Sequence, residues 1–306
     1  MNAIEITGLC KQFTGKRMTK VDALKGLDLT IATGEVFGFL GPNGAGKSTT
    51  IKLVMGLLRP TSGTARILGV DSDLTDSRRQ VGFLPENPAF YDYLSAEEYV
   101  AFVGSQFKMD SSLLKRRSEE VLKRLDLWEA RKRPMRGYSK GMVQRVGLAQ
   151  ALVHDPEVYI LDEPMSGLDP IGRALVKDII LDLKKSGRCV FFSTHITDDV
   201  EKVCDRVGVI VKGSLVAVDR VENILRSGVE GYVIHLRMPE AESLSFAGIE
   251  ALRSSNSVSE FYVPCSAFNG FMGEVNRTGM DVVLLETKRR NLEDFFLSLV
   301  KSDQGT

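Results

Sequence analysis

Eight consecutive residues constrain this chain more than any others. Gly41-Pro42-Asn43-Gly44-Ala45-Gly46-Lys47-Ser48 follows the pattern G-x-x-x-x-G-K-[ST]. An apolar run, Val36-Phe37-Gly38-Phe39-Leu40, precedes it and reads as a buried strand. The segment from Lys47 to about Leu58 reads as a helix. Glycines let the backbone turn so that successive N–H groups point at an anion, and the helix start adds its positive end. In this context Lys47 reaches the β- and γ-phosphates of a nucleotide and Ser48 offers its hydroxyl to Mg²⁺. Thr49, next in the chain, belongs to the same binding set. The bland alternative is a glycine-rich structural turn. The loop alone does not separate kinases, GTPases and transport ATPases.

The rest of the first two-thirds agrees with an α/β fold. Val158–Leu161, Cys189–Phe192 and Val207–Val211 are short apolar runs without polar alternation, as expected for parallel strands covered on both faces. The segment from Gly172 to Lys185 has helical spacing. Residues 93–155 are rich in Leu, Glu, Lys and Arg and read as a helical insertion. Beyond about residue 226 the pattern changes to a compact α+β unit. Strands are expected at Tyr232–Leu236, Ser259–Val263 and Asp281–Leu285, and helices over 241–253, 266–278 and 291–301.

Two further sites carry chemistry. Asp162 and Glu163 end the apolar strand at Leu161. An acidic residue there holds Mg²⁺ directly or through water, and Glu163 is placed to polarise an attacking water. Such a pair is otherwise an ordinary solvated loop. His195 follows another apolar strand through Ser193-Thr194, where an imidazole contacts a γ-phosphate and orients the water, or serves as a satisfied structural histidine. His154 and His235 have no such setting and read as structural.

Composition limits the classes of function. Of 306 residues, 40 are Lys or Arg and 40 are Asp or Glu, so the formal net charge is zero. That is a poor footprint for generic nucleic-acid binding, and none is expected. No stretch approaches the roughly 18 apolar residues of a spanning helix. The start, MNAIEITGLCKQF, lacks a basic segment followed by an apolar one. Cys10, Cys189, Cys204 and Cys265 show no metal-ligand spacing and read as small buried hydrophobes in a reducing cytoplasm.

Tyr138-Ser139-Lys140-Gly141-Met142-Val143-Gln144-Arg145 resembles the signature motif of the ABC ATPases, usually Leu-Ser-Gly-Gly-Gln. Ser166-Gly167-Leu168-Asp169 looks like that family's D-loop, and Phe13 stands where its aromatic stacks on adenine. The motifs fall in family order over about residues 1–225. The resemblance implies a P-loop NTPase core with a helical subdomain at about 86–155 and an accessory α+β domain at 226–306. It implies that ATP and Mg²⁺ bind, that Ser139, Gly141 and Asp169 join the nucleotide contacts, and that two chains close head to tail around two ATP molecules. A homodimer is the simpler arrangement. Two departures stand out. Glu86 occupies the Q-loop glutamine position, where it can ligate Mg²⁺ but adds negative charge. Lys140 and Met142 replace Gly and Gln in the signature.

The Leu84-Pro85-Glu86 loop, the signature and the ending Asn291-Leu292-Glu293-Asp294-Phe295-Phe296 look like ATPase subunits of bacterial ABC-2 type exporters. That implies a separate integral-membrane permease and a place on the inner face of the cell membrane. Phe90, Tyr91 and Tyr93 either pack on that permease or form a local cluster. The competing readings are a soluble ABC ATPase acting on nucleic acid or ribosomes, and a nucleotide-gated module with little hydrolysis.

Overall fold

A computed structural model describes residues 1–14, 19–226, 229–237, 249, 251–255, 258–289 and 292–302. The chain forms two compact units, one built on Met1–Val221 and one on Glu222–Ser298.

Two sheets organise the first unit. An antiparallel sheet has the order β2-β1-β4-β5, from β1 (Asn2–Thr14), β2 (Lys20–Ala32), β4 (Ser62–Ile67) and β5 (Val70–Asp71). Its inner face buries Ile4, Ile6, Leu27, Leu29, Ile31 and Ile67. The second sheet has the order β10-β9-β3-β8-β7-β6. Its members are β3 (Val36–Leu40), β6 (Val81–Leu84), β7 (Val158–Asp162), β8 (Cys189–Thr194), β9 (Arg206–Val211) and β10 (Ser214–Arg220). All pairs are parallel except β9 with β10. Every residue of β3, β7 and β8 is buried, which accounts for their unbroken apolar runs.

The register of the parallel strands sets the site. Leu40, the last residue of β3, is level with Thr194, and Asp162 is level with Ser193. The phosphate loop, the acidic pair and His195 therefore leave neighbouring strands at the same carboxyl-terminal edge, where open α/β sheets bind ligands.

Helix α1 (Lys47–Val54) is shorter than the sequence expectation of Leu58. Gly56 takes φ +63°, and the Leu57 amide bonds back to the Lys52 carbonyl, so a left-handed glycine stops the helix. Residues 93–155 contain no strand. They form α2 (Ala96–Gln106), α3 (Ser111–Arg124) and α4 (Lys140–Leu152). Ser95 and Glu98 build a capping box for α2, and Asp110 and Ser139 cap α3 and α4. Helix α5 (Pro170–Lys185) starts from Asp169, whose carboxylate accepts the Gly172 amide at 2.8 Å. Two short helices follow, α6 (Thr197–Val203) and α7 (Val221–Arg226).

The second unit holds a four-stranded antiparallel sheet, ordered β12-β13-β11-β14. Its strands are β11 (Val229–Arg237), β12 (Ala251–Ser255), β13 (Val258–Pro264) and β14 (Asp281–Arg289). Helix α8 (Phe268–Thr278) completes a core of Ile234, Leu236, Phe261, Val263, Phe271 and Val275. Helix α9 (Leu292–Ser302) follows. The helix expected over 241–253 is corrected at its end, because Ala251–Ser255 is extended and pairs with β13 from Phe261 to Val258. Residues 241–248 and 250 lie outside the described residues. Cysteine burial is also mixed. Cys189 and Cys204 are buried, Cys10 is half-buried, and Cys265 is exposed.

His154 is structural, as its setting implied. Its Nε2 faces the Val81 carbonyl at 3.1 Å, and its ring stacks on Phe107 at 3.6 Å. Burial lowers its pKa from 6.5 to about 4. The unfolded chain therefore binds a proton that the folded chain refuses, and stability is lost as pH falls from about 6.5 toward 4. Acidification from pH 7 to 5 should cost about 2 kcal/mol through this residue. Urea unfolding at both pH values should show that slope in the wild type and its loss in His154→Leu.

Candidate nucleotide-binding site

The loop from Gly41 to Ser48 folds back on the amino end of α1. Gly46 has φ +112°, and a Cβ there would stand 2.8 Å from the Ala23 carbonyl oxygen. Only glycine gives both the left-handed turn and the close approach to β2. The Lys47 ammonium donates to the carbonyls of Gly41 at 2.8 Å and Pro42 at 3.3 Å, and lies 3.3 Å from a Glu163 carboxylate oxygen. Lys47 and Glu163 are 6% and 7% exposed. A charge pair so far from water is poised to exchange partners with an incoming anion.

Below the loop, the Ser48 hydroxyl stands 3.2 Å from Asp162 and 3.3 Å from Glu86. Asp162 is 1% exposed. Burial raises its pKa above the usual carboxylate value, hydrogen bonds from Ser193 and Ser48 oppose the shift, and the charges of Glu86 and Glu163 reinforce it. His195 Nδ1 lies 3.1 Å from Glu163. Glu163 is thus gripped between an ammonium and an imidazole.

Ala23, Asn43, Gly44, Gly46, Lys47, Ser48, Thr49, Glu86 and Glu163 line one open cleft of about 210 Å³. The polar groups are ammonium, hydroxyl and carboxylate, with the start of α1 aimed in. That set suits a polyphosphate and a hard cation.

The remaining expected residues lie outside that lining. Phe13 is 40% exposed on β1, with the Lys11 ammonium 5.1 Å from its ring centre. Ser139 caps α4 by accepting the Met142 amide at 3.2 Å. Gly141 lies beside Leu168, and the exposed Lys140 side chain lies against Gly167. Signature and D-loop residues thus form their own patch, with exposed Asp169 beside it. Of the aromatics, Phe90 packs on Tyr99 at 4.6 Å, whereas Tyr91 and Tyr93 are 58% and 66% exposed.

Two residues near the site have no role assigned from the sequence, although Gln144 falls in the signature-like motif and Ser193 precedes His195. Ser193 donates to Asp162 at 2.6 Å and accepts the Glu163 amide at 3.0 Å. Gln144 donates to the Glu163 and Pro164 carbonyls at 3.2 Å each. Neither residue type is diagnostic, and only the strand register and helix packing bring them there.

Fold and site together define a P-loop nucleotide-binding protein, and the comparisons with known proteins identify it as an ATP-hydrolysing cassette. Residues 24–166 match the family model for ABC transporters. An ABC transporter ATP-binding protein of Synechocystis sp. is 43% identical over 247 residues, covering 79% of this chain and 70% of that protein. The daunorubicin/doxorubicin resistance ATP-binding protein DrrA of Streptomyces peucetius is 33% identical, covering 97% of this chain and 92% of its own. A solved ATP-binding cassette, dimeric and bound to ADP and Pi, superposes with a TM-score of 0.66 at 25% identity, over 71% of this chain and 98% of its own. The chain belongs to the ATP-binding proteins of the ABC transporters.

Removing the Lys47 ammonium takes away the cation facing the phosphates and leaves Glu163 unneutralised beside them. Lys47→Ala should weaken ATP binding by roughly 10- to 100-fold or more, from about 1.5–3 kcal/mol of charge-assisted hydrogen bonding. Titration calorimetry with ATP measures it, and unchanged affinity would contradict the site.

Proposed function

We propose that this chain powers export through a separate integral-membrane permease of the ABC-2 type, closing as a homodimer around two ATP molecules. The observation that carries the hydrolytic part is the convergence of Lys47, Ser48 and Glu163 on one cleft, with buried Asp162 hydrogen-bonded to Ser48 behind it. Backbone amides of Asn43 to Thr49 and the Lys47 ammonium bind the triphosphate. Phe13 stacks on the base. Ser48, Glu86 and Asp162 form an all-oxygen donor set that fits Mg²⁺, which takes one or two carboxylates and shares the rest of its shell with phosphates and water. When bound, Mg²⁺ neutralises charge on the β- and γ-phosphates.

As the phosphates take over Lys47, the Glu163 carboxylate is released to accept a proton from water. The water oxygen bonds to the γ-phosphorus, the bond to the bridging oxygen breaks, and ADP leaves with the electron pair. His195 holds the carboxylate and the water in line. Ser139, Gly141 and Asp169 contact the γ-phosphate region of the ATP held by the other chain. The exposure of Ser139 and Asp169, and the place of all three outside the lining of their own chain's cleft, support that assignment.

The export reading is supported by the full-length similarity to DrrA, whose name assigns it to drug resistance. Among the described residues no helix is long and apolar enough to cross a membrane. Exposed Tyr91 and Tyr93, adjacent to Glu86 in sequence, offer the permease an aromatic surface. On this reading residues 1–225 are the nucleotide-binding domain, with the helical subdomain at about 86–155. Residues 226–306 are an accessory domain, and the protein sits on the inner face of the cell membrane.

Glu163→Gln, purified from native membranes in mild detergent with ATP and Mg²⁺, should bring down a multi-span protein in stoichiometric amount. Recovery of the bait alone, or with ribosomal proteins or nucleic acid, would remove the export reading.

A further inference from the structure

Glu163 adopts φ +50°, a left-handed backbone conformation that costs a side-chain-bearing residue about 1–2 kcal/mol. Pro164 follows it and restricts the local backbone further. Such a conformation persists only where its surroundings over-determine it. Here the peptide groups on both sides of the Glu163 α-carbon are held. On one side the amide donates to Ser193 Oγ at 3.0 Å. On the other the carbonyl accepts Gln144 Nε2 at 3.2 Å and the Ser166 amide at 3.0 Å. Gln144 also donates to the Pro164 carbonyl at 3.2 Å. Ser193 and Gln144 are 0% and 4% exposed, so water does not replace either bond.

The hydroxyl of Ser193 does a second task. It donates to Asp162 at 2.6 Å while accepting from Glu163, so one buried oxygen fixes the spacing of the two acidic residues. Gln144 has a different reach. It lies in α4, five residues after Ser139, the cap of the same helix. A shift of α4 therefore pulls on the carbonyls of Glu163 and Pro164.

We propose that Ser193 and Gln144 are positioning residues of hydrolysis, clamping the Glu163 backbone from both sides, and that Gln144 ties the aim of its carboxylate to the helix that begins at Ser139. This rests on the reading of Glu163 as the base. In a closed dimer the Ser139 end of α4 meets the nucleotide of the other chain. Gln144 then carries the state of one nucleotide to the carboxylate serving the other. The clamp acts on the orientation of the carboxylate rather than on nucleotide contact, so its loss separates turnover from binding.

The test uses the full chain with Ser193→Ala, Gln144→Met and Glu163→Gln, and the double variant Gln144→Met/Glu163→Gln. Gln144→Met keeps length and approximate volume but removes the donor. Steady-state ATP hydrolysis gives kcat and KM, calorimetry gives ADP affinity, and melting temperature checks folding. Ser193→Ala and Gln144→Met should each lower kcat about 10- to 100-fold while KM and ADP affinity stay within about threefold. Gln144→Met should add nothing to the loss in Glu163→Gln, because residues acting as a unit are non-additive. Wild-type kcat in both single variants overturns the clamp, as does a fall in ADP affinity matching the fall in kcat. If Glu163→Gln loses turnover while Gln144→Met keeps it, the clamp alone fails. If Glu163→Gln turns over normally, the base reading fails and the clamp with it.

Discussion

Lys47 and Glu163 come from segments far apart in the chain, and their charged groups meet 3.3 Å apart with almost no exposure to water. Each would be costly to bury alone, because an unpaired charge in a protein interior loses its hydration without recompense. The pair exists because β3 and β7 both lie beside β8 in parallel register and end at one edge of the sheet. That edge also brings Ser48 to Asp162 and His195 to Glu163. In the mechanism we propose, a nucleotide that offers Lys47 a better anion releases Glu163, and this one ion pair links binding to activation of the water. The sheet register makes the link, and helices on both faces keep the register from slipping.

Much of this was legible in the sequence, for identifiable reasons. The phosphate loop announces itself because glycines, lysine and a hydroxyl must occur at fixed spacing to wrap an anion. Asp162, Glu163 and His195 were visible because each follows an unbroken apolar strand, and the parallel pairing of those strands carries them to one edge. The antiparallel sheet of β1, β2 and β4 was not read. Its longest pair has register shifts near Leu9 and Lys11, which break the two-residue alternation. Ala251–Ser255 forms an edge strand whose short mix of polar and apolar residues carries too little period to distinguish it from a helix. Ser193 and Gln144 lie in stretches that the sequence singles out, but nothing there points either of them at Glu163. A serine in a buried strand and a glutamine in a helix acquire their roles only from the residues that packing sets beside them.

The single chain presents two partial surfaces. One is the cleft at Lys47, Ser48, Glu86 and Glu163, and the other is the patch of Ser139, Gly141, Leu168 and Asp169. The second patch is capped, partly exposed and chemically suited to phosphate, yet it lines no part of the cleft in its own chain. Two chains arranged head to tail give each patch a cleft to complete. Gln144 connects the helix capped by Ser139 to the Glu163 and Pro164 carbonyls within each chain, and in the proposed dimer that bond would join the surface facing one nucleotide to the carboxylate serving the other. Family membership makes this chain a cassette, and the exposed patch supports the proposal that its partner is a second cassette.

The most direct test of that account is the mass of Glu163→Gln in solution, by sedimentation or light scattering, without nucleotide and with ATP and Mg²⁺. Bound ATP is counted in the same sample. The account predicts a monomer of 33.8 kDa without nucleotide and a dimer holding two ATP molecules with it. A chain that binds ATP fully and stays monomeric at high protein concentration would contradict it.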